Sequence, residues 1–259
     1  MKEYGLLGYP LSHSFSKEYF TNKFRKANID AVFDIFPIPT ILDFPKLLAS
    51  KPRICGMNVT IPYKKQVMAY LDGLDPEAAA VGAINVIRFD YSNGLKPKLI
   101  GYNTDLYGFR ESIRPLIAEL KTRLGPLDVP LKALVLGTGG ASRAVLYGLK
   151  QLDVEVTVVS RTEAPNQLTY QQLTPAHYQA HRIVVNTTPL GMNPNADSFP
   201  ALDYAQFGRA HLLFDLVYNP DKTRFLQFGE NQGSIVKNGL EMLHLQAEEA
   251  WNIWNPPPK

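Results

Sequence analysis

Short apolar runs alternate with longer amphipathic stretches along the whole chain, a pattern that predicts α/β architecture. In the first part, "YGLLG", "VFDIFPI", "ICGMNV", "INVIRF" and "KLIGY" read as strands. Between the first two, "SKEYFTNKFRKAN" carries Tyr19, Phe20 and Phe24 on one helical face. "YSNGLKPK" predicts a turn marked by Asn93-Gly94. A helix is expected over 105–124, and "GPLDVP" after it breaks regular structure and marks a domain junction. A second series, "KALVLG", "VEVTVVS", "RIVVNT" and "HLLFDLVY", has the spacing of βαβ units. The tail "NGLEMLHLQAEEAWNIW" predicts an amphipathic helix stopped by "NPPPK", because consecutive prolines cannot continue a helix.

Composition narrows the classes of function. The chain has 259 residues, 45% hydrophobic and 20% charged, enough to bury a sizeable core. Its net charge of +3 is not gathered into basic tracts, so a nucleic-acid partner is not expected. Cys55 is the only cysteine, which excludes an intrachain disulfide and a multi-cysteine metal site and fits a reducing compartment. With no signal-peptide core and no apolar run of membrane-spanning length, a soluble cytoplasmic protein is expected. His177 and His181, four apart in "PAHYQAHR", could chelate a metal from a helix. No carboxylate or cysteine lies near them in sequence, so a surface helix and no metal are expected.

The stretch "ALVLGTGGASRAVLYGL" reads as a buried strand, a glycine turn and an opening helix. Gly137 and Gly139 occupy the first two positions of G-x-G-x-x-G, with Ser142 at the third; Gly140 and Ala141 continue the turn. Small residues there let the backbone approach a pyrophosphate, and a helix N-terminus offers unpaired N–H groups. A tight turn without a ligand would use the same residues. An NAD site usually places Asp or Glu about 20 residues further on, to hold the ribose 2′-OH. Here "VEVTVVSRT" ends in Ser160, Arg161 and Thr162. With no carboxylate to repel a 2′-phosphate and Arg161 to pair with it, NADP is the expected cofactor. Arg143 could add a cation or be a solvated helix residue. "VVNTTPLGM" puts Asn186, Thr187 and Gly191 at the carboxyl edge of a parallel sheet, where ligands of such sheets bind.

Three polar clusters follow strands of the first half: "GYPLSHSFS", "NVTIPYKK" and "GYNTDLYGF". Their hydroxyls and amides suit a polyol, and Lys and Asp suit proton transfer and a carboxylate ligand. At this point the chain resembles the shikimate dehydrogenase family over nearly its full length. The resemblance rests on "GYPLSHSFS", "NVTIPYK", "GAIN", "GYNTD", "GTGGASR", "SRT", "NTTPLGM" and the patterns D-L-V-Y-N-P-x-x-T-x-F-L and N-G-L-E-M-L-x-x-Q-A, in the family's order. It implies interconversion of 3-dehydroshikimate and shikimate with NADPH, in the pathway to aromatic amino acids. It further implies that Lys64, two residues after Pro62, is the general acid/base, that Asp105 is its partner, and that Lys65 faces solvent. Ser14 and Ser16 would hold the substrate carboxylate. Thr60, Asn85, Asp105 and Gln246 would hold the ring hydroxyls, Tyr218 would approach the substrate, and Gly239 would position the nicotinamide amide. His13 would order the serine loop.

The implied fold is two α/β domains facing a cleft. Residues 1–106 and 238–259 would form the substrate domain, and residues 107–237 a Rossmann-like NADP domain. The sequence departs from the family where Ser160 replaces the Asn of N-R-T and Val86 replaces the Thr of V-N-T. A quinate/shikimate dehydrogenase using NAD or NADP stays open, as does a non-catalytic dinucleotide sensor, which would have little need of Lys64 and Asp105 together. A small-molecule substrate is the expected partner, in a monomer or homodimer. Ser14 as a hydrolase nucleophile is disfavoured, because no G-x-S-x-G elbow surrounds it.

Overall fold

A computed structural model describes residues 1–11, 14–92, 94, 96–126 and 129–256. Ser12, His13 and Asn93 therefore lie outside the described residues. The chain divides into two compact units, Met1–Thr104 with Gln246–Lys259, and Asp105–Leu245. Among the described residues, no helix is long and apolar enough to cross a membrane.

The first unit runs β1 (Lys2–Gly8), α1 (Phe15–Lys26), β2 (Ala31–Pro37), α2 (Phe44–Ser50), β3 (Ile54–Val59), β4 (Gly73–Leu74), α3 (Pro76–Val81), β5 (Val86–Asp90) and β6 (Lys98–Tyr102). Its sheet has the order β2-β1-β3-β5-β6-β4. The β1, β2, β3 pairings are parallel, whereas β5 runs antiparallel to both β3 and β6. Both faces are covered, so the strands read as nearly continuous apolar runs. Successive residues Val86 and Ile87 point to opposite faces and join different cores. One core packs Phe20 and Phe24 of α1 against Tyr4, Phe33 and Trp254. The other packs Phe44, Met57, Tyr63, Val67 and Ile84.

Helix α4 (Thr104–Leu124) begins at the division and leads into β7 (Lys132–Leu136), α5 (Gly140–Gln151), β8 (Glu155–Ser160) and β9 (Gln167–Thr169). The chain continues through α6 (Pro175–Ala180), β10 (Ile183–Asn186), β11 (Leu212–Asp215), α7 (Arg224–Asn231), β12 (Ile235–Lys237) and α8 (Leu240–Trp254). The second sheet is wholly parallel, in the order β12-β11-β10-β7-β8-β9. That is the doubly wound order, and the strand order reverses between β7 and β10. Alternation along β7 sends Ala133 and Val135 to one core and Leu134 and Leu136 to the other. Phe109, Ile113, Ile117 and Leu120 of α4 share the first core with Leu131 and Ala133. The "GPLDVP" stretch thus links two elements of one unit and is not a domain junction: the apolar face of α4 packs with the strand that follows it. Residues 238–245, grouped with the substrate domain from sequence, fall in the second unit.

Several short elements were not foreseen. Helix α3 is six residues long and is fixed at its ends: the Asp75 side chain accepts from the Glu77 amide, Pro76 opens the helix, and Gly82 closes it at φ 68°. Helices this short carry too little periodicity to be read as a pattern.

Candidate functional site

In the first unit, a buried polar network ties together residues far apart in sequence. Asn85 precedes β5 and is only 3% exposed. Its main chain is fixed by the Asn85 amide donating to the Tyr102 carbonyl and the Val59 amide donating to the Asn85 carbonyl. Its side-chain oxygen accepts from the Thr104 amide at 2.7 Å, and its Nδ2 donates to Thr104 Oγ1 at 3.0 Å and to Gln246 Oε1 at 3.4 Å. Burial of three polar side chains is tolerable because each has a partner. Asn85 therefore holds the first amide of α4 and reaches Gln246 on α8. The arrangement presents amide and hydroxyl groups, with no net charge.

Lys64 is attached to the same scaffold through its backbone, since its carbonyl accepts from the Ile84 amide at 2.8 Å. Its side chain is half-buried, while Lys65 is exposed. Thr60 lies at the carboxyl end of β3, where its amide donates to the Leu7 carbonyl and its carbonyl accepts from the Tyr63 amide. Ser14 caps α1 by accepting from the Lys17 amide at 3.2 Å, which leaves its hydroxyl hydrogen available to a ligand. Ser16 follows in the first turn of α1 and is half-buried. Asn58, on β3, was not singled out from sequence. It is 4% exposed, its Nδ2 donates to the Asn85 carbonyl, and its Oδ1 has no partner among the described residues. A buried acceptor of that kind is costly unless a donor reaches it.

The second unit builds its site mainly from backbone. Gly137 follows β7 with φ 103°, and a Cβ there would come within 2.9 Å of Thr188. That position combines left-handed backbone with close approach, so glycine is required. Gly139 is the N-cap of α5 and no side chain caps the helix. Cβ atoms built on Gly139 or Gly140 would meet nothing within 4 Å. The helix N-terminus is therefore open, with unpaired N–H groups suited to an anion. Ala141 follows in the first turn of α5, where the buried Ser142 hydroxyl donates to the Gly139 carbonyl at 2.6 Å and steadies the turn. A cavity of about 410 Å³ lies beside it, walled by Gly137, Gly139, Arg161, Thr162, Tyr170 and Thr187, among others. Thr187 is held there by its hydroxyl donating to the Leu136 carbonyl at 2.6 Å.

These groups fit NADP: an open helix N-terminus for the pyrophosphate, and an exposed guanidinium with no acid at the end of β8. Ser160 is occupied internally, since its hydroxyl donates to the Thr162 carbonyl at 2.6 Å and accepts from the Thr162 amide at 3.0 Å. Arg143 is exposed on α5 and does not line the cavity.

Beside this edge, Asp215 ends β11 fully buried. It accepts from Asn186 Nδ2, the Val217 amide and the Thr223 hydroxyl. Burial outweighs those bonds and pushes its carboxyl up to about 6. This network, also missed from sequence, shapes the loop that carries Tyr218, which is partly exposed. Gly239 sits where a Cβ would come within 2.2 Å of the Leu216 carbonyl oxygen, so two backbone segments touch there.

Asp105 is half-buried in the first turn of α4, directly after Thr104. A carboxylate in that turn is favoured by the helix dipole. His177 and His181 share a cavity with Glu155, a carboxylate not placed near them from sequence. Glu155 pairs with Lys132 at 2.8 Å. His181 is buried, with Nδ1–H donating to the His177 carbonyl and the Nε2 lone pair accepting from the Thr157 hydroxyl.

Residues 6–87 match the family of shikimate dehydrogenase substrate binding domains. Over 98% of its length the chain is 33% identical to the NADP(+) shikimate dehydrogenase of Caldanaerobacter subterraneus subsp. tengcongensis, of which it covers 91%. It is 34% identical to that of Clostridium beijerinckii, covering 98% of this chain and 92% of the relative. A solved structure of shikimate 5-dehydrogenase from Thermus thermophilus, in complex with NADP(H) and shikimate, matches with a TM-score of 0.80 and 30% identity. That match covers 98% of this chain and 94% of the other.

Proposed function

The chain belongs to the shikimate dehydrogenase family, and on that premise we propose that it reversibly reduces 3-dehydroshikimate to shikimate with NADP. It is an NADP-dependent oxidoreductase acting on a CH–OH group. The observation that carries this reading is a match of about one third identity along 98% of the chain to NADP(+) shikimate dehydrogenases.

Bound NADPH supplies the hydride, and the protein supplies position and electrostatics. Negative charge develops on the carbonyl oxygen as it is reduced, and the Lys64 ammonium stabilises that charge and gives up a proton. Asp105 acts as its partner, orienting the amine toward the carbonyl. Ser14 and Ser16 donate hydroxyl hydrogens to the substrate carboxylate. Thr60, Asn85, Asp105 and Gln246 receive the ring hydroxyls, and Tyr218 approaches the ring. The α5 N-terminus from Gly137 to Ala141 receives the pyrophosphate, Arg161 and Thr162 the ribose phosphate, Ser160 and Thr187 line the same cofactor cavity, and Gly239 positions the nicotinamide amide. We place the protein in the cytoplasm, as a monomer or homodimer.

Absorbance of the reduced nicotinamide tests this. Shikimate with NADP should give fast reduction, and quinate or NAD little. Equal use of quinate or NAD would make it a broad quinate/shikimate dehydrogenase. Binding of NADP without turnover of either substrate would make it a sensor.

A further inference from the structure

The loop after β8 is poor in cations for an NADP site. Arg161 is the only Lys or Arg between residues 151 and 181, and Glu163 stands two positions beyond it. Ser160 is consumed by its bonds to Thr162. Beside Arg161, that leaves the Thr162 hydroxyl on this strand end, so any further donor to a 2′-phosphate comes from elsewhere on the cavity wall.

The three-residue turn Tyr170–Gln172 after β9 lies on that side of the unit. Gln172 fixes it twice over: its Oε1 accepts from the Thr169 amide at 2.7 Å, and its Nε2 donates to Glu163 at 3.3 Å. The same side chain therefore ties down the turn and occupies the one acid near Arg161. Tyr170 opens the turn and lines the cavity with Arg161 and Thr162. Its ring is half-buried against the core of the second unit. Its hydroxyl makes no hydrogen bond among the described residues. Burial raises the phenol above its ordinary range while the positive charge of Arg161 opposes the rise, which puts the two groups within electrostatic reach.

We propose that Tyr170 is a specificity-determining residue of the cofactor site, its hydroxyl donating a hydrogen bond to the ribose 2′-phosphate that Arg161 pairs with. A phenol held by a buried ring is a well-positioned neutral donor, and a hydrogen bond to a charged acceptor is stronger than one between neutral groups. Recognition is then shared between one cation and neutral hydroxyls, instead of resting on a cluster of cations. This rests on the NADP reading.

The test is titration calorimetry on the full chain with 2′,5′-ADP and with 5′-AMP, comparing the native protein with Tyr170→Phe. The phenylalanine keeps the ring and its packing, so the thermal midpoint should not move. We expect 2′,5′-ADP to weaken about tenfold in the variant, with 5′-AMP within about twofold. Unchanged binding of 2′,5′-ADP would overturn the proposal and leave the NADP reading intact. Equal weakening of both ligands would also overturn it, since the ring would then serve the adenine alone. If the native protein failed to prefer 2′,5′-ADP over 5′-AMP, the NADP reading itself would fall, and the proposal with it.

Discussion

The two units build their candidate sites in different ways. The second uses backbone: a glycine turn at Gly137, an uncapped helix N-terminus at Gly139 and a close crossing of chain at Gly239. The first uses buried side chains from separate parts of the chain, with Asn85, Thr104 and Gln246 meeting within hydrogen-bond distance. A backbone site tolerates changes of side chain as long as no bulk enters. A side-chain network loses a partner with almost any substitution.

Removing the amine in the first unit should have the largest effect. Lys64→Ala is expected to lower kcat by about 10²–10⁴-fold, the range for losing a positioned general acid. Substrate KM should change little; steady-state kinetics with near-normal kcat would rule out the assignment. Asn85→Ala should come next, because it orphans the Thr104 amide and removes one donor from Gln246. Each buried group left unpaired costs about 1–3 kcal/mol, so urea unfolding should show a lower midpoint at an unchanged slope.

The second unit should respond to bulk. Gly239→Ala pushes a methyl into the Leu216 carbonyl, an overpacking worth about 1–3 kcal/mol, visible as a lowered thermal midpoint. Gly140→Ala, with open space around it, should leave the midpoint unmoved and weaken NADP binding alone. If the two glycine variants unfolded alike, steric crowding would not be what distinguishes them.

Per pH unit, the smallest effect is in pH dependence. Asp215 titrates near 6 in the folded protein against an ordinary 3.8. The folded state therefore holds this proton more tightly than the unfolded state. Its contribution to stability is fully present below about pH 3.8 and is lost as pH rises through about 6. The slope should not exceed about 1.4 kcal/mol per pH unit. Buried His181 and His211 are shifted downward by desolvation and act in the opposite sense, losing stability as pH falls below their ordinary range. Asp215→Asn should remove the first contribution and leave the second, so the variant should lose more stability than the native protein on acidification from about pH 6 to about pH 4. Parallel urea curves for the two proteins across that range would refute this.

The strands were the most legible part of the fold. "ICGMNV" and "KLIGY" coincide with β3 and β6, and the βαβ series with the parallel sheet. The glycine turn was legible too, because its chemistry is local: a few consecutive residues make the strand end, the turn and the helix start. The cofactor-side network of Asn186, Asp215 and Thr223 was not, since nothing in three separate segments says that they meet. In the first unit, Lys64, Asn85 and Gln246 were singled out only through family resemblance. Taken singly they read as a surface charge, a turn residue and a helix residue. The error at "GPLDVP" has the same root: prolines and glycines report a break in local structure, not which side of the break a helix will pack on.

By itself, then, the sequence determined the α/β class, the parallel second sheet, the open glycine turn and the lack of an acid beside Arg161. Those follow from periodicity and short-range stereochemistry, which the chain expresses over a few residues. Only the tertiary structure decided that Asn85 holds both Thr104 and Gln246, that α4 belongs with β7, and that Tyr170 stands on the wall beside Arg161. Those depend on packing between segments up to 161 residues apart, where the free energy comes from burying apolar faces together and the polar contacts are carried along with them.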